Sequence, residues 1–264
     1  ETIYLDVNSE REVPATTVNR PHDISKVIDF AETLTTTSTA FENLIDMDQI
    51  AVGGHSYGGY TSLAAAGARF DLAYYDALCI ESADDPALAV IMCGSLVPGE
   101  AEMAQAAGFD PMPEGLWPSM GDPRVKAIVP MAGDAYLFGE VGLAEITIPM
   151  LALGGTLDDA TPYAYGSRLA YDNAASDQKA LATFDYGNHY LFLSDCTNVS
   201  WLIDLGFSFF CSDSVWDVSR AHDLTNHFVT AFLLDVLKGD ADAAAALAPD
   251  AVSFPGITYE AQGF

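Results

Sequence analysis

Ile50-Ala51-Val52-Gly53-Gly54-His55-Ser56-Tyr57-Gly58-Gly59-Tyr60-Thr61-Ser62-Leu63-Ala64-Ala65-Ala66 is the stretch whose reading decides the fold. It opens on a short apolar run that reads as a buried strand, and it closes on small residues compatible with a helix. Between the two, Gly54-His55-Ser56-Tyr57-Gly58 has the G-x-S-x-G pattern. Strand, pattern and helix in that order are what a nucleophile elbow requires, with the serine on a sharp turn and its hydroxyl lifted above the sheet. Gly54 and Gly58 are expected to be glycine because a side chain at either would collide with the neighbouring strand or helix.

A serine hydroxyl is a weak nucleophile at neutral pH and needs a base that is itself oriented by a carboxylate. The run Ile148-Pro149-Met150-Leu151-Ala152-Leu153-Gly154-Gly155 reads as another buried strand, and Thr156-Leu157-Asp158-Asp159-Ala160-Thr161-Pro162 follows at its carboxyl end. Active groups of open α/β sheets gather at that end of the strands. Asp158 is the expected acid, with Asp159 in reserve and expected only to cap the helix that begins near Pro162. His189 follows the strand-like Ala180-Leu181-Ala182-Thr183-Phe184 and is the histidine placed after the acid at a strand exit. His22 reads as a surface residue and His55 as a packing residue. His222 and His227 read as solvent-facing or rim positions on a late helix. The main-chain N–H of Tyr57 is the expected oxyanion donor.

Together the elbow, the Gly-Gly-Thr-Leu-Asp-Asp-Ala-Thr-Pro turn (154–162) and Gly-Asn-His-Tyr-Leu-Phe-Leu (187–193) resemble a serine-dependent α/β-hydrolase. The likeness is to dienelactone-hydrolase-like and platelet-activating-factor-acetylhydrolase-like esterases, with cutinase-type polyester hydrolases nearby. Arg20-Pro21-His22-Asp23-Ile24 and the closing Phe232-Leu233-Leu234-Asp235-Val236-Leu237-Lys238-Gly239-Asp240 carry it too, so it spans most of residues 20–240. Dienelactone hydrolases proper use cysteine, whereas this elbow carries Ser56, so the resemblance implies esterase-like acyl transfer to water. It also implies an α/β fold, mostly parallel sheet with flanking helices, and nothing calls for an organic cofactor.

In that fold the second oxyanion donor comes from a loop well upstream of the nucleophile. The 55 residues before Ser56 offer one strand candidate, Thr2-Ile3-Tyr4-Leu5-Asp6-Val7, a polar stretch and a helix over 23–34 that buries Ile24, Val27, Ile28, Ala31 and Leu34. No His-Gly or Gly-Gly loop stands there, and the second donor is not identified. Strands near 50–53, 125–131, 148–154 and 180–185 make half of the usual sheet, which leaves the elbow strand as a bare apolar edge. The expectation is the carboxyl-terminal portion of such a fold, one catalytic domain over 1–264, with an amino-terminal chain completing the sheet.

Acidic residues outnumber basic ones, 38 to 10, for a net charge of −28, which excludes a basic nucleic-acid footprint and disfavours anionic lipid. The charge reads either as a solvated shell or as adaptation to salt-rich surroundings. No apolar run reaches the ~18 residues of a membrane span. Cys79, Cys93, Cys196 and Cys211 are expected to pair as Cys79–Cys93 and Cys196–Cys211 in an exported protein whose signal peptide has been removed. Two other pairings exist, and four buried thiols in a cytosolic protein are the contrary reading. Metal ligation is not expected, since no Cys-x-x-Cys or histidine cluster accompanies them.

Residues 79–123 are rich in proline and read as an insertion over the active-site face, with Leu116, Trp117 and Met120 either walling an apolar pocket or simply packing beneath it. Residues 194–216 form a second excursion, with Trp201, Leu202, Ile203, Leu205, Phe207, Phe209, Phe210 and Trp216, expected beside the acyl or alcohol site. Asn198-Val199-Ser200 is a sequon, meaningful only in a eukaryotic secretory host. A helix over 219–238 is expected to pack Leu224, Phe228, Phe232 and Val236 on the sheet, ahead of a short alanine-rich helix. The functional expectation is a secreted serine carboxylesterase for hydrophobic esters, polyester or lipid, with Ser56, His189 and Asp158 as triad and Trp117, Met120 and Trp201 near the substrate. Its activity should rise through roughly pH 6 to 8 as the histidine base loses its proton. The rivals are a prolyl-oligopeptidase-like peptidase and a catalytically silent binding module.

Overall fold

The computed structural model describes residues 13–84, 91 and 93–264. The strand candidate at 2–7 lies outside them. In chain order the elements are α1 (Val13–Thr37), β1 (Ile50–His55), α2 (Tyr57–Ala65), α3 (Leu72–Glu81), α4 (Cys93–Leu96), α5 (Glu100–Ala106) and β2 (Val125–Met131). There follow α6 (Gly139–Leu143), β3 (Met150–Gly155), α7 (Ser167–Asn173), β4 (Lys179–Phe184), α8 (Trp201–Asp204), α9 (Val218–Lys238), α10 (Ala241–Ala246) and β5 (Ile257–Gln262).

The strands lie side by side in chain order, β1-β2-β3-β4-β5, the first four parallel and β5 antiparallel to β4. Consecutive parallel strands need a crossover, and helices supply it, so apolar residues are wanted on both faces of the sheet. Val125 and Ile128 of β2 face a core shared with Val18, Tyr60, Leu63, Phe70, Leu96, Met103 and Trp117. Their neighbours Ala127 and Val129 face the opposite core, where α9 packs Leu224, Phe228 and Phe232. This is the mostly parallel sheet with flanking helices of the α/β-hydrolase fold. Among the described residues β1 pairs on one side only, with β2.

Several expectations need correcting. The first helix starts at Val13, a full ten residues before Asp23, and runs through Pro21. Its buried face is Pro14, Thr17, Val18, Pro21 and Ile28, whereas Val27 is 64% exposed. Within 79–123, α4 and α5 pack against α1 and feed Leu96 and Met103 into the first core. Trp117 belongs to that core, 1% exposed between Phe70 and Phe109, and Met120 is buried with it. Packing therefore accounts for both, and neither side chain is offered to a ligand. Cys79–Cys93 and Cys196–Cys211 are bonded as the sequence suggests. No helix among the described residues is long and apolar enough to cross a membrane.

Candidate active site

β1 ends at His55, and Ser56 makes the turn into α2 with φ 58° and ψ −121°, a conformation strained for a residue with a Cβ. The strain is held from both sides. Ser56 N–H donates to the Met131 carbonyl of β2 at 2.9 Å, and the Ser56 carbonyl accepts from Tyr60 N–H at 3.1 Å, starting the helix. A Cβ on Gly54 would sit 2.7 Å from the main chain of Gly58, so strand and helix approach too closely for any side chain there. Gly58 itself faces open space, contrary to expectation. The second constrained glycine is Gly59, whose Cβ would meet Gly133 Cα at 2.5 Å.

His189 opens a 3₁₀ turn, His189–Phe192, directly after β4, and Asn188 caps it by accepting from Tyr190 N–H at 2.9 Å. The imidazole is buried, and Ser56 Oγ lies 2.9 Å from its Nε2. Its Nδ1 lies 2.9 Å from Asp158 Oδ2 and 3.0 Å from Oδ1. With Nδ1–H donated to that carboxylate, Nε2 is left as the acceptor for the serine proton.

Asp158, also buried, has a second task. Its Oδ1 accepts from the main-chain N–H of Ala160 at 3.0 Å and of Thr161 at 2.7 Å, closing the turn after β3. No side chain caps the short helix after Pro162; Asp158 instead holds the turn before it, while Asp159 is exposed. The Thr161 hydroxyl stands within reach of Asp158 Oδ2 (2.9 Å), the Ala132 carbonyl (2.8 Å) and His189 Nδ1 (3.2 Å), bridging the β2 and β3 turns.

His55 packs as expected, its ring 4.6 Å from that of His189, and its Nε2–H donates to the His189 carbonyl at 2.8 Å. Burial first, then the charge of His189, lowers the His55 pKa and keeps it neutral. Asp134, just past β2, is a buried carboxyl that sequence reasoning missed. Burial pushes it up to about 7, against the attraction of His189. Nothing in the local sequence marks it or Thr161, since their importance comes from elements that meet only in the fold.

Beyond His189, the Tyr190 ring stands edge-on to the imidazole at 5.2 Å and to Phe210 at 4.9 Å. It links the site to the segment closed by Cys196–Cys211, where Trp201 is 59% exposed and Phe207 and Phe209 are each close to half exposed. His22 is exposed, and His222 and His227 sit half-buried on α9. Among the described residues no three His, Cys, Asp or Glu side chains converge as a metal site.

Residues 19–81, which run from within α1 through the elbow to the end of α3, match the Prolyl oligopeptidase family. The match takes in Ser56 and stops short of Asp158 and His189. No curated protein matches the chain. Fold and family match converge on one statement: the chain is a serine hydrolase with the α/β-hydrolase fold.

Proposed function

We propose that the protein is a serine carboxylester hydrolase acting on hydrophobic esters through an acyl-enzyme. Ser56 Oγ attacks the ester carbonyl while His189 Nε2 takes its proton. Asp158 fixes the imidazole tautomer and stabilises the cation formed. The Tyr57 N–H, at the positive end of α2, faces the oxyanion. His189 then protonates the departing alcohol, and a water activated by the same imidazole releases the acid and restores Ser56.

The observation that carries the assignment is the unbroken run of contacts from Ser56 Oγ to His189 (2.9 Å) and from His189 to Asp158 (2.9 Å). The preference for apolar esters is supported by Phe209 beside Tyr190 and by Phe207 and Trp201, exposed within the same disulfide-closed segment, and an extracellular setting by the two disulfides. Labelling by a fluorophosphonate probe, lost in Ser56→Ala, tests the nucleophile. Persistent labelling of Ser56→Ala would refute it. A p-nitrophenyl ester series and release of soluble monomers from a polyester film test the substrate class.

The match of residues 19–81 to a peptidase family favours a second reading, cleavage of peptide amides. Faster turnover of prolyl or other peptide amides than of p-nitrophenyl butyrate would establish it in place of the first.

A further inference from the structure

α1 and the elbow helix α2 are locked by polar contacts that the chemistry above leaves unused. Pro21 lies inside α1 and has no N–H, so the Thr17 carbonyl four residues earlier loses its helical donor. The Tyr60 hydroxyl of α2 takes that place, donating to the Thr17 carbonyl at 2.7 Å. The Thr17 hydroxyl pairs with that of Tyr57. Close by on α1, Arg20 lays its guanidinium over the Tyr57 ring at 4.6 Å and donates through Nε to Thr61 Oγ1 at 2.8 Å. The Thr61 hydroxyl donates in turn to the Tyr57 carbonyl at 2.7 Å. The ring of Tyr57 thus meets both a cation and the stacked ring of Tyr60, 5.1 Å away.

This contact is not a by-product of charge pairing. In a chain with 38 acidic residues, none of the ion pairs found among the described residues involves Arg20. What Arg20 holds is the ring and, through Thr61, the carbonyl of the residue whose N–H follows the nucleophile. On the other side of that peptide, Ser56 N–H is tied to Met131 at 2.9 Å. The two peptides that flank Ser56–Tyr57 are therefore both tied, the first to β2 and the second, through Thr61 and Arg20, to α1.

We propose that Arg20, supported by Thr17, is a positioning residue that sets the angle of the Tyr57 N–H toward the oxyanion. The proposal rests on Ser56 being the nucleophile. A donor of this kind acts only when it is aimed at the charge that develops in the transition state, so loosening it costs rate and leaves ground-state binding alone.

The test compares Arg20→Lys, which keeps the charge but loses the planar contact, with Arg20→Ala and Thr17→Val. The readouts are kcat and KM on p-nitrophenyl butyrate, affinity for a trifluoromethyl ketone, and melting temperature. The expected result is a kcat loss of about tenfold in Arg20→Lys and about 100-fold in Arg20→Ala, with KM held within about twofold. Affinity for the ketone, whose adduct carries the oxyanion, should fall by the same factor as kcat/KM. Unchanged kcat per folded molecule, or a rise in KM alone, would overturn the proposal. If Arg20→Ala does not fold, Arg20→Lys decides. Persistence of fluorophosphonate labelling in Ser56→Ala would instead sink the nucleophile assignment, which separates the two failures.

Discussion

Asp158→Asn separates two tasks that one carboxylate performs. Oδ1 holds the turn, accepting from Ala160 N–H at 3.0 Å and Thr161 N–H at 2.7 Å, and an asparagine carbonyl can go on doing so. The loss of stability should therefore stay near 1–3 kcal/mol, the usual range for disturbing one buried polar contact. At Oδ2, 2.9 Å from His189 Nδ1, the amide now presents an N–H. Nδ1 becomes the acceptor, the ring proton moves to Nε2, and it points at Ser56 Oγ 2.9 Å away, where a base is needed. The expected loss in kcat is about 10³–10⁴, or about 4–5.5 kcal/mol of barrier. Asp158→Ala also strands Thr161 N–H and His189 Nδ1–H in a buried site. At about 1–3 kcal/mol for each of these two stranded donors it should cost roughly 2–6 kcal/mol of stability. Asp159→Asn, on an exposed side chain, should change neither quantity. Initial rates on p-nitrophenyl butyrate and urea denaturation report the two effects separately. Asp158→Asn keeping more than about a tenth of the activity, or Asp159→Asn losing as much, would refute the division of labour.

Burial pushes Asp134 up to about 7, so the folded state holds a proton that the unfolded chain releases near pH 4. Its contribution to stability is complete below about pH 4 and is lost as pH rises through about 7, amounting to as much as about 4 kcal/mol. Asp134→Asn should flatten the urea midpoint over that window, and an unaltered slope would contradict the assignment. Gly59→Ala drives a Cβ into the main chain at Gly133 and should cost more than about 2 kcal/mol, whereas Gly58→Ala, with open space, should be neutral or slightly stabilising by calorimetry. Replacing both Cys196 and Cys211 by serine opens a loop of sequence separation 15, for which about 3 kcal/mol of lost stability is expected. Chymotrypsin should then cut first within 196–211, and an unchanged digestion pattern would count against a role for this bond in holding the aromatic segment.

The parallel strands were legible because each is an apolar run ended by glycine or a polar turn, the pattern of strands buried on both faces. β5 was equally open to reading: Ile257-Thr258-Tyr259-Glu260-Ala261-Gln262 alternates, follows Pro255-Gly256, and buries its odd-numbered residues against α9. As an antiparallel edge strand after an alanine-rich helix, it continues no βα alternation. The start of α1 at Val13 is not marked in the sequence, because the helix runs through Pro21, a residue type that ordinarily interrupts one. In the fold, the carbonyl that Pro21 leaves without a donor is satisfied by Tyr60, a residue on another helix, which offsets the lost hydrogen bond.

That last point separates what a linear pattern carries from what it does not. Ser56, Asp158 and His189 could be singled out because strand ends and chain order are one-dimensional signals, and the same holds for two cysteine pairs closing short loops. Which of two adjacent aspartates caps a turn, and which of two adjacent glycines is pressed against a neighbour, depends on the direction in which each residue leaves the main chain. For Asp158 the direction is set by the turn that brings Thr161 N–H back onto its carboxylate, and for Gly59 by Gly133, a residue that sequence alone does not bring near. The aromatic residues show the same division: Trp117 and Trp201 both sit in excursions, yet one is 1% exposed against Phe70 and the other 59% exposed beyond a disulfide. Hydrophobicity says that each must be covered by something. Only the packing says that for Trp117 the cover is the protein's own core, which leaves the surface around Trp201 and Tyr190 as the place to look for substrate.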